Sequence, residues 1–233
     1  MSLSRMALSV LFAALCLHAQ TARYYVVFLR PVAARTQLSR EAGEALQAAH
    51  MANIQKMARD GVLAAAGPFD DTPATISGMF VMKAASLQEA QAIAARDPTV
   101  IERRNTVEAH AWLGPKGIGD EYFRLHTADP MTPENMQIRV LCLFYRGPAE
   151  DAQRYMFHLK THLRLMDDFQ GEGRLSAAGP VEAPDDLVSL VIFKPSASLE
   201  DAQRLLSVDG AVKEGALRVE YHRWWSADHV LPR

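Results

Sequence analysis

Two histidines and two aspartates have the side chains that a proton-transfer site needs: His50 with Asp97, and His162 with Asp209. Histidine has an unperturbed pKa of about 6.5, so its imidazole can take up and return a proton near neutrality. A carboxylate on the far ring nitrogen would fix the tautomer and steady the charged ring. The same residues also have plain structural uses. A histidine at the edge of a helix's buried face often only holds a hydrogen bond, and an aspartate before Pro98 or Gly210 is ordinary turn chemistry. No serine or cysteine stands in a nucleophile motif, so covalent catalysis is not indicated. A second set, Glu108, His110 and Trp112, recurs as Glu220, His222 and Trp224. Two-residue spacing puts each trio on one face of a strand, which meets a ligand if it looks into a cavity and solvent if the strand is an edge. Gly67-Pro68 and Gly179-Pro180 are expected to shape a loop or the rim of such a site. The histidines and glutamates lack the tight spacing of a metal centre, and no metal or other cofactor is assigned.

These residues recur because the chain does. Shifted by 112 positions, His50 to Trp112 overlays His162 to Trp224 without a gap, pairing Ile54 with Met166, Ile76 with Val188 and Glu89 with Asp201. Two copies are too few for an open solenoid and suit a closed pair about a pseudo-twofold axis.

Each copy opens on an aromatic and β-branched strand, Tyr24 to Leu29 or Ile138 to Tyr145. A helix follows, with Met51, Ile54 and Met57 on its apolar line in the first copy and Tyr155, Leu159, Leu163, Met166 and Phe169 in the second. Gly61 and Gly173 are placed to end these helices in the left-handed conformation. Short strands reach to Ala66 and Ala178, where Gly-Pro cuts them, and near-continuous apolar runs, Thr75 to Met82 and Leu187 to Phe193, read as interior strands. Second helices start at Ser86, with a capping box to Glu89, and at Ser198, with the close variant to Asp201. Final strands, Val100 to Trp112 and Val212 to Trp224, complete the order βαββαβ, the ferredoxin-like plan. Two such α+β units can cover each other's open sheet faces and enclose a barrel.

Residues 1–22 read as an export signal: Arg5, an apolar run from Met6 to Leu17, then a small-residue cleavage zone. The run is short of the ~20 residues that span a bilayer, so no anchor is expected after cleavage, and the chain is expected to be secreted or periplasmic. Repeat one is then 23–113, a connection rich in glycine and proline 114–137, repeat two 138–226 and a tail 227–233. Losing Cys16 would leave Cys142 alone, alternating in a strand as a buried, inert thiol. A net charge of -2 with interspersed signs offers nucleic acid no basic footprint. Small molecules or proteins are the expected partners, and the duplicated chain is expected to act as a monomer with an internal pseudo-dimer.

The ordered set His50, Gly61, Leu63, Ala66-Gly67-Pro68, Ser86-Leu87, Ala90-Gln91, Asp97 and Val107 to Trp112, repeated from His162 to Trp224, resembles the YCII-type (YciI-like) family. The resemblance implies a dimeric α+β barrel of ferredoxin-like units, here built from one chain. It also implies a His-Asp dyad per unit, falling on His50 with Asp97 and on His162 with Asp209. The few enzymes of this type imply cofactor-independent dehydrohalogenation or isomerisation of small aromatic or lactone compounds. Where such proteins often carry arginine in the last strand, this chain has His110 and His222, and its export signal departs from a cytosolic pattern. Two expectations follow: a lyase or isomerase with histidine as base, and a non-catalytic binding or assembly module of the cell envelope in which the dyads are structural. A haem-binding barrel is a third, for which no distinctive ligand motif is present.

Overall fold

β1 (Thr21–Pro31) has the alternation that organises the molecule. Tyr25, Val27 and Leu29 point to one side of their sheet and pack on helices, while Tyr24, Val26 and Phe28 point to the other and pack on a second sheet. The computed structural model describes residues 21–71, 74–148 and 152–232. Within them, β1, β2 (Leu63–Pro68), β3 (Gly78–Met82) and β4 (Asn105–Pro115) form an antiparallel sheet in the order β2-β3-β1-β4. β5 (Gln137–Arg146), β6 (Leu175–Pro180), β7 (Leu187–Phe193) and β8 (Leu217–Ser226) repeat it as β6-β7-β5-β8. Long helices, Arg40–Arg59 and Ala152–Gly171, and shorter ones, Leu87–Ala94 and Leu199–Leu206, cover the outer faces. The protein is therefore a pair of ferredoxin-like α+β units closed into a pseudo-dimeric barrel.

The barrel closes where sheet edges meet. Phe69, just beyond β2, bridges to Trp224 of β8, and Trp112 of β4 bridges to Val181, just beyond β6. Amides follow suit: Asp70 donates to the Arg223 carbonyl and Glu182 to that of Ala111. Such seams remove the exposed edges that each sheet would have alone. Gly67 and Gly179 are what let the backbones meet. A β-carbon on Gly67 would stand 1.7 Å from the Trp225 carbonyl oxygen, and one on Gly179 would stand 1.9 Å from that of Leu113.

Several local features take the form that their residues imply. Gly61 and Gly173 take φ of 74° and 71° beyond the long helices, and Cys142 is fully buried and free. At the second helices, however, the full capping box belongs to Ser198 with Asp201, while Glu89 reaches past Ser86 to the Ala85 amide.

Four expectations need correction. The overlay of the repeats is not free of gaps. Pro68 pairs with Gly78 and Pro180 with Ser189, so β3 and β7 correspond at a shift of 111, and Ile76 matches Leu187 rather than Val188. A loop one residue shorter before β7 is offset by one residue more after it. Secondly, Val100 and Val212 lie in four-residue helices, Pro98–Ile101 and Gly210–Lys213, and the final strands start only at Asn105 and Leu217. Thirdly, Met51 is 43% exposed, because the long helix lays only Ile54 and Met57 of that trio on the sheet. Fourthly, the expected connection and tail are part of the fold. β4 runs to Pro115 against Thr21, Asp120–Ala128 is a helix, and Ile118, Val230 and Leu231 are buried together at the Tyr24 end of the barrel. β1 likewise takes in Thr21 and Ala22; the rest of the expected export signal, with Cys16, lies outside the described residues. No helix among the described residues is long and apolar enough to cross a membrane.

Candidate functional site

Both histidine-aspartate pairs are in contact. His50 comes from the middle of a long helix and Asp97 from the residue before the four-residue helix, and they meet at 2.8 Å through Nδ1 and Oδ2. A carboxylate can only accept, so Nδ1 carries the proton and Nε2 is left with a lone pair in the neutral ring. Asp97 is wholly buried yet well supplied with donors. Asn53 donates to Oδ2, and the Thr99 amide and hydroxyl donate to Oδ1. Burial raises the Asp97 pKa, but the bonds from His50 and Thr99 outweigh it and hold the carboxyl below its ordinary value. Turn residue and dyad member are thus one and the same: the oxygen that caps the helix leaves its twin free for the histidine. Asp209 does likewise, with Oδ1 on the Ala211 amide and Oδ2 at 2.7 Å from His162 Nδ1.

The two pairs differ at the other ring nitrogen. His162 is fully buried, and its Nε2 lies 2.7 Å from the Ser189 hydroxyl. In the first unit the residue at that place in β3 is Gly78, which has no side chain to offer. His50 Nε2 accordingly has no partner among the described residues, and its side chain is 15% exposed, with the ring stacked against Phe80. The first dyad is open and the second sealed.

The strand trios are elsewhere. Phe80, under His50, belongs to the helix-facing core, whereas Trp112 and Trp224 lie in the core between the sheets. The dyads and the trios therefore occupy opposite faces of the same sheets. Trp112 and Trp224 are not ligand-facing: both have no exposure, and their indole N–H groups donate to the Gly179 and Gly67 carbonyls. Gly67-Pro68 and Gly179-Pro180 form the seams rather than a site rim.

His110 and His222 do line a cleft, of about 1270 Å³, at the Arg30 end of the barrel. Each has its own aspartate, supplied by the opposite unit. His110 Nδ1 donates to Asp185 at 2.6 Å, and His222 Nδ1 to Asp71 at 2.6 Å. These aspartates were missed, although a doubled aspartate follows each Gly-Pro pair, as Asp70-Asp71 and Asp185-Asp186. They do so at different distances, so no fixed shift aligns them. His110 also meets Glu108 at 2.9 Å through Nε2. Two carboxylates can both accept only from an imidazolium, and although burial opposes the charge, Glu108 and Asp185 raise the His110 pKa. The His110 bond, against opposing burial and with help from Arg30, lowers Glu108 to about 2.

The signs give a pH window. The contribution from Glu108 is present above its unfolded pKa and fades as pH falls toward about 2. That from His110 is present below about pH 6.5 and fades as pH rises through its raised folded value. The loss of thermal stability in Glu108→Gln should therefore be largest between about pH 4.5 and 6.5. Melting curves across pH check this; a pH-independent difference would mean the network is not charged as described.

A family profile, the YCII-related domain, matches residues 24–110. No curated protein matches the sequence. Among solved structures, a single-substitution mutant of the chlorite dismutase from Candidatus Nitrospira defluvii aligns with a TM-score of 0.56 at 12% identity, over 91% of this chain and 94% of that one. A double mutant of that enzyme gives 0.53 at 12% identity, over 91% and 94%. A candidate chlorite dismutase gives 0.53 at 9% identity, over 90% and 96%. At such identities the likeness is of fold alone, and its coverage takes in both units and the connection between them.

Proposed function

We propose, from the match of residues 24–110 to the YCII-related domain, a cofactor-independent lyase or isomerase with one working dyad. The observation that supports it is the open Nε2 of His50 on a ring whose Nδ1 is held by a buried, ionised Asp97. In the proposed reaction Nε2 takes a proton from carbon in a small cyclic or aromatic substrate. The C–H electron pair passes into an adjacent carbonyl as an enolate, or expels a leaving group such as halide from the neighbouring carbon. Asp97 stabilises the imidazolium meanwhile, and in an isomerisation the ring returns the proton at another carbon. The proposal includes export of the chain, on the strength of Arg5 and the apolar run after it.

The test is exchange of carbon-bound hydrogen in D₂O, followed by proton NMR, across small cyclic ketones, lactones and halogenated rings. Exchange or product formation that disappears in His50→Ala and persists in His162→Ala supports the reading. No exchange with any compound, or exchange indifferent to His50, removes it. The second reading, a non-catalytic binding module, is favoured by the cleft at the barrel mouth, which lies apart from either dyad.

A further inference from the structure

We propose that the barrel mouth is a second, separate site that binds small molecules bearing a primary ammonium group, held between His222 Nε2 and Glu220. The two units build this mouth together, yet it is not symmetric. β1 pairs Arg30 with Thr106 and β5 pairs Tyr145 with Arg218, so Arg30 corresponds to Tyr145 and Thr106 to Arg218. Arg30 grips both oxygens of Glu108, at 2.8 Å and 3.2 Å, and Glu108 reaches and locks His110. In the second unit tyrosine cannot do this. Tyr145 instead accepts from Arg30, while Arg218 binds Glu220 and stacks over the Tyr145 ring. Glu220 is thereby held 3.7 Å from His222 Nε2, beyond hydrogen-bond reach.

His222 is 5% exposed, fixed by Asp71 at Nδ1, and left with a buried Nε2 that has no hydrogen-bond partner among the described residues. Buried polar atoms are nearly always satisfied, so an orphan that lines an open cleft marks a place for a ligand atom. With Nδ1 donating to Asp71, Nε2 of the neutral ring accepts, and the ligand must donate. A group with several N–H bonds can serve Nε2 and the Glu220 carboxylate at once.

Charge selects the same class. Six carboxylates line the mouth against four guanidinium groups and the His110 imidazolium, which leaves one negative charge when His222 is neutral. Three of the arginines are already engaged by carboxylates, Arg30 by Glu108, Arg218 by Glu220 and Arg223 by Asp70. A monocation completes this balance, and an anion finds little free positive charge. The site does not depend on the His50 chemistry and lies on the other face of the sheets.

The probe is n-butylammonium chloride, with sodium butyrate and n-butanol as controls, read through the ¹⁵N and ¹H resonances of the His222 ring in the full chain. The ammonium ion should shift His222 saturably in the millimolar range expected of so small a ligand, and butyrate should not. Affinity should fall at least tenfold in Glu220→Gln. It should fall likewise in Arg218→Thr, which gives the second unit the residue found at that place in the first and releases Glu220 toward His222. His50→Ala should bind as the parent does, which separates this site from the proposed catalytic one. The proposal is overturned if butylammonium leaves His222 unmoved, if butyrate competes equally well, or if both mouth variants keep the parent affinity.

Discussion

Gly67→Ala and Gly179→Ala should each cost about 3 kcal/mol or more, among the largest stability losses available to a single methyl group in this protein. The added carbon would fall 1.7 Å or 1.9 Å from a carbonyl oxygen of the opposite unit, so the seam must part rather than adjust. Parting it strains the bond from the Trp224 or Trp112 indole to the glycine carbonyl, together with the amide bonds Asp70 to Arg223 or Glu182 to Ala111. For a chain of this size the melting temperature should fall by roughly 6–12 °C. Gly43→Ala is the control. Its β-carbon meets nothing within 4 Å inside a long helix, so it should be neutral or add about 0.5–1 kcal/mol. Urea denaturation of the three variants decides the matter. Seam variants as stable as the parent would show that the sheets do not close through these glycines.

Turnover should depend on one histidine of the two. Once a substrate is in hand, His50→Ala is expected to lower kcat by about 10²- to 10⁴-fold, the usual contribution of a positioned base. His162→Ala should leave kcat within a few-fold and instead cost about 3 kcal/mol of stability, because it leaves buried Asp209 and Ser189 without their shared partner. The sharper test exchanges the residues that make the dyads differ. Gly78→Ser puts a hydroxyl where Ser189 stands in the other unit, and its β-carbon would come within 3.3 Å of the Gly67 carbonyl, a contact that a small shift relieves. Capping His50 Nε2 in this way should reduce kcat at least tenfold with little change in folding. Ser189→Gly should not create a second active base, since the His162 ring has no exposure. An unaffected Gly78→Ser variant, or one in which His162 proves to be the residue required, would sink the assignment of the working dyad.

Much of the architecture was legible along the chain, and each success has a local cause. The aromatic and β-branched runs of β1 and β5, the left-handed glycines after the long helices and the capping serines depend on a few adjacent residues, so the sequence displays them directly. The histidines and aspartates are in contact because Asp97 and Asp209 can serve as helix cap and histidine partner together, one oxygen for each. The indoles misled for an equally physical reason. A tryptophan two residues from a histidine on a strand shares its face, but whether that face is cavity or core depends on how far along the barrel the residue lies. Trp112 and Trp224 fall in the packed middle, while His110 and His222 fall at the mouth.

By itself the sequence determined that one βαββαβ unit is used twice and in what order its elements run, while the pairing of His50 with Asp97 and of His162 with Asp209 came as an implication of the family resemblance. The elements follow from periodicity and from turn and cap chemistry carried by short stretches. Only the tertiary structure decided which dyad is open, because that turns on a serine or glycine from a different strand, hidden by a one-residue shift that the overlay of the repeats conceals. It also decided that Gly-Pro forms a seam and that the mouth histidines take their aspartates from the opposite unit. Contacts between residues 75 to 157 positions apart are set by how two sheets close on each other, and local pattern does not encode that closure.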